Sequence, residues 1–297
     1  MWAVGGAKRR AWVDRFTYVG FLVPMVVPFL VTVAVPFGVG VYYSFTDWTG
    51  LGSGKFVGLA NYVKIFGQND YLYSLGITAA FTVANMLAVN VLAFLMALLC
   101  TQEIAAARFC RAVFFVPNLI GGIVLGYVWQ FIFNKVFAQL GGVSMLTDPT
   151  GAFFAIAIVS TWQYAGYIMM IYITGLQSIP GEVLQAAGLD GAGALAMLFR
   201  VKIPMVMNTF TVCLFLTLVN SFKQFDLNFA ITGGAPARIL GGKAIPSTEF
   251  LALNIYNTAI VKNNYALGQA KAIVFFVALA AISLMQVWIG KKSEVEL

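Results

Sequence analysis

Histidine is absent from the 297-residue sequence, as is the phosphate-binding motif G-x-x-x-x-G-K-[ST]. The first absence excludes Ser-His and Cys-His nucleophilic catalysis and most zinc sites. The second means that the chain does not hydrolyse ATP by the route which that motif serves. The few acidic residues form no convincing acid–base constellation either. These absences indicate a protein that is not an enzyme.

Charged residues are also scarce, at 10% of the chain, whereas 61% of the residues are hydrophobic and 15% are aromatic. This composition is typical of a protein whose solvent is largely lipid. The net charge of +7 does not indicate nucleic acid as a partner, because the basic residues are not clustered with aromatic ones. Three cysteines, Cys100, Cys110 and Cys213, lie in or beside apolar runs without paired spacing, so we predict no disulfide or metal site.

Six apolar runs reach the roughly 20 residues that a membrane span needs. They cover residues 16–45, 71–101, 112–134, 153–177, 205–229 and 272–290. We therefore predict an all-α polytopic membrane protein with about six spans: an N-terminal segment 1–15, a membrane domain 16–290 and a C-terminal tail 291–297. The first run is too long for a cleavable signal peptide, so we expect an uncleaved first span.

Basic residues predict the orientation, because they are enriched in cytoplasmic segments. With both termini inside, ten basic residues are cytoplasmic: Lys8, Arg9, Arg10, Arg15, Arg108, Arg111, Arg200, Lys202, Lys291 and Lys292. Six are then external: Lys55, Lys64, Lys135, Arg238, Lys243 and Lys262. The bias places both termini and the polar segment 179–204 in the cytoplasm.

Several features within the spans predict local structure. The prolines of the first span predict a kinked, packed helix, and Pro117 predicts local unwinding in the third. A short amphipathic helix over residues 55–66 is expected to lie on the outer surface. Polar side chains in the second span predict a helix–helix seam, because polar groups in lipid need partners. The seam residues are Thr78, Thr82, Asn85 and Asn90.

The polar segment 179–204 predicts a helical hairpin. Pro180 suits the first position of a helix, and Glu182 then lies in the first turn, where the helix dipole favours an anion. We expect Gly188 to end this helix in the left-handed conformation and Asp190 to cap a second helix. Small residues at the bend would let another surface approach the backbone closely.

This segment, IPGEVLQAAGLDGAGALAMLFRVKIP, resembles the EAA loop of the ABC-importer permeases. Gln185 stands where the family has a glutamate before its two alanines. The resemblance implies the MetI-like permease fold and identifies residues 178–204 as the loop that couples the permease to an ATPase subunit. The implied coupling residues are Glu182, Gln185, Ala186, Ala187, Gly188, Asp190, Gly191 and Ala192.

The stretch SFKQFDLNFAITGGAP, residues 221–236, resembles the sugar-transporting permeases of this family, although Ala235 replaces a usual glycine. The segments FVGLANY and IYNTAIVKNNYALGQA are similar to the same subfamily. This resemblance implies a bacterial or archaeal plasma-membrane importer of a sugar or oligosaccharide. Its implied partners are a second permease in a heterodimer, two ABC ATPase subunits and an extracytoplasmic solute-binding protein. ATP and magnesium would bind the ATPases, so we expect no cofactor on this chain.

Two spans carry aromatic rings beside amides, which suit a sugar because rings cover its C–H face and amides replace its water. We predict a solute pathway formed by Trp129, Gln163, Tyr164, Tyr167, Asn220, Phe222, Lys223, Gln224, Phe225 and Asp226. Aromatic residues also form belts at membrane boundaries, which remains the alternative for the tryptophans. Lys223 and Asp226 are spaced to meet on one helix face, either as a structural ion pair or within the pathway.

Two other functions remain open. One is a permease for a non-sugar solute such as a glycerol phosphate ester. The other is a stand-alone secondary carrier or channel, for which intramembrane charges and inverted repeats are expected. The sequence shows no internal repeat, and Lys223 and Asp226 are expected near an edge of the membrane rather than at its midplane.

Overall fold

The computed structural model describes residues 4–52, 54–102, 106–139 and 142–291. Within these ranges the chain is helical, apart from its connecting segments and one two-stranded antiparallel sheet. The predicted C-terminal tail lies outside the described residues except for Lys291. The α-helices are α1 (Val4–Phe29), α2 (Val35–Ser44), α3 (Ala60–Phe66), α4 (Asn69–Cys100), α5 (Ala106–Phe115), α6 (Gly122–Phe131), α7 (Phe137–Gln139), α8 (Pro149–Gln177), α9 (Gly181–Leu189), α10 (Ala194–Ala196), α11 (Ile203–Met205), α12 (Met207–Phe222), α13 (Asp226–Ile231), α14 (Leu251–Tyr256) and α15 (Tyr265–Lys291).

Shorter elements join several of these helices. π-Helical segments cover Leu30–Ala34, Ile132–Val136, Met197–Lys202 and Asn257–Val261, and 3-10 turns cover Val116–Leu119 and Met145–Thr147. The strands are β1 (Ala237–Leu240) and β2 (Lys243–Pro246). The chain forms two compact units, residues 1–65 with 258–273 and residues 66–257 with 274–297.

The first unit contains a 28-residue apolar helix, Thr17–Ser44, that is long enough to cross a membrane. Pro28 and Pro36 flank its π-helical turn, where the Thr32 hydroxyl donates to the Pro28 carbonyl at 2.7 Å. A proline in a helix frees a carbonyl one turn earlier, so a local change of helix type is expected there. None of its 18-residue apolar window is buried among the described residues, which therefore do not supply the predicted packing.

The predicted surface helix over residues 55–66 is shorter than expected. Helix α3 begins only at Ala60, because Phe56 is paired with Thr46 in an isolated β-bridge and Gly58 has a φ of 58°. A positive φ interrupts a right-handed helix and suits glycine. The first half of the predicted helix is therefore an extended segment and a turn.

The core of the second unit lies between α4, α8 and α12. The rings of Phe94, Tyr172 and Phe210, one from each helix, pack with their centroids 4.8 to 5.3 Å apart. Small buried residues of α4, such as Ala93 and Ala97, allow the helices to approach closely.

The predicted polar seam is confirmed at Asn85 and Asn90 by two sets of hydrogen bonds, whereas Thr82 donates to the Thr78 carbonyl within α4. Asn85 donates to the Ser221 hydroxyl at 2.8 Å and accepts from Thr161 at 3.2 Å. Asn90 donates to the Thr217 hydroxyl at 2.8 Å and accepts from the Tyr172 hydroxyl at 2.7 Å. Thr78, nearer the start of α4, accepts from the Leu251 amide at 2.8 Å. Each asparagine thus joins α4 to both α8 and α12.

The spans are less regular than six uninterrupted helices. Among the described residues, four helices are long and apolar enough to cross a membrane, and two further helix pairs qualify only if each bent pair is counted as one span. Helices Phe109–Leu119 and Gly122–Val136 meet at 96°, and helices Ala194–Met205 and Met207–Ile231 meet at 70°. The predicted third span is therefore bent within its length, whereas the predicted fifth span begins at the second bend. Pro117 accounts for the first bend, since the chain leaves α5 through a 3-10 turn there.

A β-hairpin follows α13. Gly241 and Gly242 both have positive φ, 58° and 77°, as a two-residue hairpin turn requires. The base of the hairpin is fixed to the helices, because the Asn228 side chain donates to the Thr248 carbonyl at 2.6 Å and the Tyr73 hydroxyl donates to the Ser247 carbonyl at 2.9 Å. The two strands are largely exposed above this base.

Candidate functional site

Two of the predicted spans are interrupted at polar or unwound backbone. At the bend of the first pair the 3-10 turn Val116–Leu119 leads through Ile120, with an extended backbone, into α6. The second interruption lies beyond the 70° bend at Val206, where α12 ends at Phe222 and α13 begins at Asp226. Unwound backbone at membrane depth is tolerated where it is buried in protein or lines a water-filled cavity. The positions of these two interruptions therefore define the candidate pathway.

Small residues bring the two interruptions together. A Cβ on Gly122 would lie 2.7 Å from the Cβ of Asp226, and a Cβ on Gly126 would lie 2.5 Å from the Cβ of Ala230. Both distances are shorter than a normal carbon–carbon contact, so only glycine fits at these two positions of α6. The spacing of four residues is that of a G-x-x-x-G helix crossing. Helices α6 and α13 thus meet at the start of each.

The middle of α8 contacts both interruptions. The Gln163 side chain donates to the Ile120 carbonyl at 3.0 Å, and the Gln224 side chain donates to the Ser160 hydroxyl at 3.4 Å. Gly166 lies so close to the Phe114 carbonyl that a side chain there would overlap it. Gln163 is the central residue of Pro149–Gln177, about 21 Å from either end at 1.5 Å per residue. The two interruptions therefore lie at mid-length of a membrane-spanning helix.

The predicted pairing of Lys223 with Asp226 on one helix face is wrong. Lys223 is the C-terminal cap of α12 and Asp226 opens α13, so no continuous helix aligns their side chains. No ion pair joins them in the described part of the chain, and both side chains are exposed. The expected position near a membrane edge is also corrected, because the adjacent Gln224 contacts Ser160 near the middle of α8.

The other predicted pathway residues occupy different environments. Trp129 is half-buried, with its ring against Phe133 and Trp162, and the rings of Tyr164 and Tyr167 pack on each other. Asn220 is half-buried on α12. Phe222 differs from the prediction, since it is only 3% exposed and stacks on the Phe275 ring. It therefore supports the interruption from behind rather than lining an open surface.

Sequence reasoning missed three residues of this region: Ser160, Phe229 and Tyr256. The predicted Phe225 forms an aromatic triad with Phe229 and Tyr256, with ring centroids 5.3 to 5.8 Å apart. Phe229 follows Phe225 by one helical turn, a spacing that could have indicated it. Ser160 lies one turn before Gln163 and Tyr164 on α8. Tyr256 carried no local signal, because its neighbours are more than 25 residues away in sequence.

The hairpin is present, but its details differ from the prediction. Pro180 is the N-terminal cap of α9, which runs past Gly188 to Leu189. The residue with the left-handed backbone is Gly191, at φ 81°, and Asp190 is the C-terminal cap of α9. The second helix begins at Ala194, and no side chain caps it. Both glycines fit the bend by local rules, so the sequence alone did not identify which one turns the chain.

The hairpin exposes an apolar tip. Leu189 is 91% exposed, Leu195 73% and Phe199 63%. Glu182 and Gln185 are exposed as well, and an added Cβ at Gly191 would meet nothing within 4 Å. Exposed apolar patches of this kind mark protein interaction sites. Two spans carry the tip: α8 ends just before it, and a π-helical segment followed by the 70° bend connects it to α12.

No three His, Cys, Asp or Glu side chains come together to hold a metal ion in the ranges that the structure describes. The chemistry available at the two interruptions is therefore that of amides, hydroxyls, aromatic rings and two exposed charges. Such groups bind and orient a polar solute by hydrogen bonds and ring stacking.

Comparison with known proteins places these features in context. Residues 90–295 match the family described as the binding-protein-dependent transport system inner membrane component. A probable starch degradation products transport system permease protein of Thermoanaerobacterium thermosulfurigenes is 39% identical over 289 residues, covering 95% of this chain and 93% of that protein. A multiple sugar-binding transport system permease protein of Streptococcus mutans is 31% identical, covering 86% of this chain and 89% of that protein.

Solved structures show the same fold. A chain of a bacterial ABC transporter involved in the import of the acidic polysaccharide alginate superposes with a TM-score of 0.82 at 17% identity, covering 95% of this chain and 99% of that chain. The same type of transporter, in complex with a periplasmic protein bound to an alginate pentasaccharide, gives a TM-score of 0.78 at 18% identity, covering 95% of each chain. The predicted MetI-like all-α fold is thereby confirmed.

Proposed function

The chain belongs to the family of binding-protein-dependent transport system inner membrane components, and we propose that the solute pathway lies where the two helix interruptions, residues 116–121 and 223–225, meet. The protein is a permease subunit of an ABC importer for a sugar or oligosaccharide, and not an enzyme. It is a multi-pass membrane protein with several apolar helices. Its pathway residues therefore have to accommodate a sugar within the membrane.

The observation that supports the pathway is the position of both interruptions beside the middle of α8. Interrupted helices with free polar groups near the membrane midplane are typical of transporter binding sites. Gln163 and Gln224 each use their amide N–H in a contact within the chain, which leaves their carbonyl oxygens to accept from a sugar hydroxyl. The side chains of Lys223 and Asp226 are exposed at the same point.

A sugar that leaves its binding protein loses hydration, and each hydroxyl left without a partner costs about 1–3 kcal/mol. The amides and charges around the second interruption supply replacement partners. The triad of Phe225, Phe229 and Tyr256 adds ring faces for the C–H side of a pyranose. We therefore propose that the pathway comprises Gln163, Asn220, Lys223, Gln224, Phe225 and Asp226, with Trp129, Tyr164 and Tyr167 along the same helices and Phe222 as their support.

We propose that the hairpin 178–204 couples this pathway to ATP hydrolysis on partner subunits. An exposed apolar tip attached to two spans transmits the motion of a docked subunit to both of them as a rigid body. Gln185 is exposed on α9, so its replacement of the family glutamate removes one charge without disturbing the hairpin. The coupling surface comprises Glu182, Gln185, Ala186, Ala187, Gly188, Asp190, Gly191 and Ala192.

The proposed complex contains a second, different permease, two ABC ATPase subunits and an extracytoplasmic solute-binding protein. ATP and magnesium would bind the ATPase subunits. The distribution of basic residues supports cytoplasmic termini and a cytoplasmic hairpin. The plasma membrane of a bacterium or archaeon is the proposed location.

Reconstitution tests this function against its alternatives. Proteoliposomes carrying this chain, its partner permease and the ATPases are expected to take up a radiolabelled oligosaccharide only when ATP is inside and the binding protein outside. A stand-alone carrier would transport the sugar without ATP. A relative in Agrobacterium fabrum, 28% identical to this chain, is an sn-glycerol-3-phosphate transport system permease protein, so glycerol 3-phosphate is the matched competitor. Stronger uptake of glycerol 3-phosphate than of any sugar would overturn the sugar assignment.

A further inference from the structure

Helix α3 and the segment just before it present apolar side chains that nothing in the described part of their unit covers. Phe56 and Leu59, before the helix, are 71% and 64% exposed, and Val63 within it is 74% exposed. Leu59 directly precedes α3 and its carbonyl accepts from the Val63 amide at 3.1 Å, so the side chains of Leu59 and Val63 lie on one side of the first turn. Apolar groups exposed together in this way mark an interaction surface. We propose that α3 is an interfacial anchor whose apolar side lies in the lipid at the membrane boundary.

The opposite side of α3 fixes its position. The Asn61 side chain donates to the carbonyls of Ser44 and Thr46, at 2.8 and 2.7 Å. The Tyr62 and Ser44 hydroxyls are 2.8 Å apart, and Ile65 is completely buried. Asn61, Tyr62 and Ile65 therefore form an inward side that is distinct from the exposed apolar side.

Ser44 is the residue where the first membrane helix ends. A helix of 28 residues is about 42 Å long at 1.5 Å per residue, which matches the thickness of a bilayer with its headgroup regions. Its end lies at the boundary of the membrane, and the bonds from Asn61 and Tyr62 hold α3 at that same level. The depth of α3 thus follows from direct contacts to a membrane helix.

Lipid fits this surface better than water or protein. Apolar side chains from Tyr18 to Val39 are exposed along this helix, and the bonds to Ser44 place α3 beside the end of that lipid-facing helix. Lys55 and Lys64 flank the apolar side chains, and lysines at a membrane boundary reach toward anionic headgroups while their alkyl chains stay among apolar groups. An amphipathic helix with these features lies in the plane of the interface.

Spin labels test this placement in the assembled complex. A nitroxide is attached to Val63→Cys in a background in which Cys100, Cys110 and Cys213 are replaced by alanine, in vesicles of phosphatidylethanolamine and phosphatidylglycerol. The matched sites are Lys64→Cys on the adjacent side and Val31→Cys within the first membrane helix. The ratio of collisions with oxygen to collisions with a water-soluble nickel chelate is expected to be highest at Val31, lower at Val63 and lowest at Lys64.

The proposal would be overturned if a label at Val63 were as accessible to the nickel chelate as a label at Lys64. A photoreactive amino acid at Val63 provides a second readout that keeps the native cysteines. A phospholipid adduct at Val63 supports the anchor, whereas an adduct to the partner permease or to the binding protein would show that protein covers α3. Sugar uptake by the same vesicles is measured separately, so a failure of the anchor is distinguishable from a failure of the transport function.

Discussion

Replacing Gly126 by alanine tests the crossing that brings the two interruptions together. The added Cβ would lie 2.5 Å from the Cβ of Ala230, whereas carbon atoms pack at about 3.5–4.0 Å. Helices α6 and α13 would have to separate by about 1 Å or more. Overpacking of this kind costs about 1–3 kcal/mol. Since the folding equilibrium constant changes about tenfold for each 1.4 kcal/mol, this loss of stability is easily measured.

Gly76 on α4 offers the matched control, because an added Cβ there meets nothing within 4 Å. Gly76→Ala is expected to be neutral or slightly stabilising, since alanine favours a helix by up to about 1 kcal/mol over glycine. The assay is the temperature at which purified complex loses its monodisperse peak in detergent, together with sugar uptake. Gly126→Ala is expected to lower both quantities, and Ala230→Gly in the same chain is expected to restore them.

Equal stability of the Gly126→Ala and Gly76→Ala proteins would refute the close crossing. Failure of Ala230→Gly to rescue Gly126→Ala, when both variants assemble, would show that the added methyl group acts at some other contact. Either result would remove the argument that small residues position the pathway.

Three further predictions concern other parts of the chain. Asn90→Ala leaves the buried Tyr172 hydroxyl without its acceptor, so the free energy of unfolding should fall by about 1–3 kcal/mol. Tyr172→Phe in the same chain should recover part of this loss, and no recovery would argue against the Asn90–Tyr172 bond. Gly191→Leu forces a branched residue into a φ of 81° and should reduce ATP-driven uptake more than the ATPase rate. Gly181→Ala, whose added Cβ meets nothing within 4 Å, should not; equal behaviour of the two variants would argue against Gly191 as the bend of the coupling surface. Asp226→Asn should leave stability unchanged, because Asp226 forms no ion pair with Lys223. If Asp226→Asn instead destabilises the protein and Lys223→Met rescues it, the two residues form a structural ion pair after all.

Local patterns predicted those parts of the fold that depend on local chemistry. Asn85 and Asn90 indicated a seam because polar groups in lipid must find partners, and the structure supplies those partners on two other helices. The hairpin was predicted from Pro180 and Glu182 together with the motif that follows them. Its bend was assigned to Gly188 rather than Gly191, because two nearby glycines satisfy the same backbone rule.

Features decided by distant contacts were not predictable. The fifth span was predicted to run through Lys223–Asp226 to residue 229, whereas α12 stops at Phe222. Phe222 was assigned to the pathway because of its neighbours in sequence, whereas its burial depends on Phe275, more than 50 residues away. The crossing of α6 and α13 depends on space that Gly122 and Gly126 leave for residues about 100 positions later. Such packing depends on residues that are far apart in the sequence, so local sequence patterns do not predict it.

The most direct test of the pathway measures sugar uptake by proteoliposomes that carry Gln224→Met, with Gln139→Met as the control. Methionine keeps the length of glutamine but removes its hydrogen bonds, and Gln139 is an exposed residue of α7, outside both interrupted segments. At equal assembly with the ATPases, Gln224→Met is expected to reduce the uptake rate several-fold, while Gln139→Met leaves it unchanged. Uptake at the normal rate by the Gln224→Met protein would contradict a solute pathway at the interruption of the fifth span.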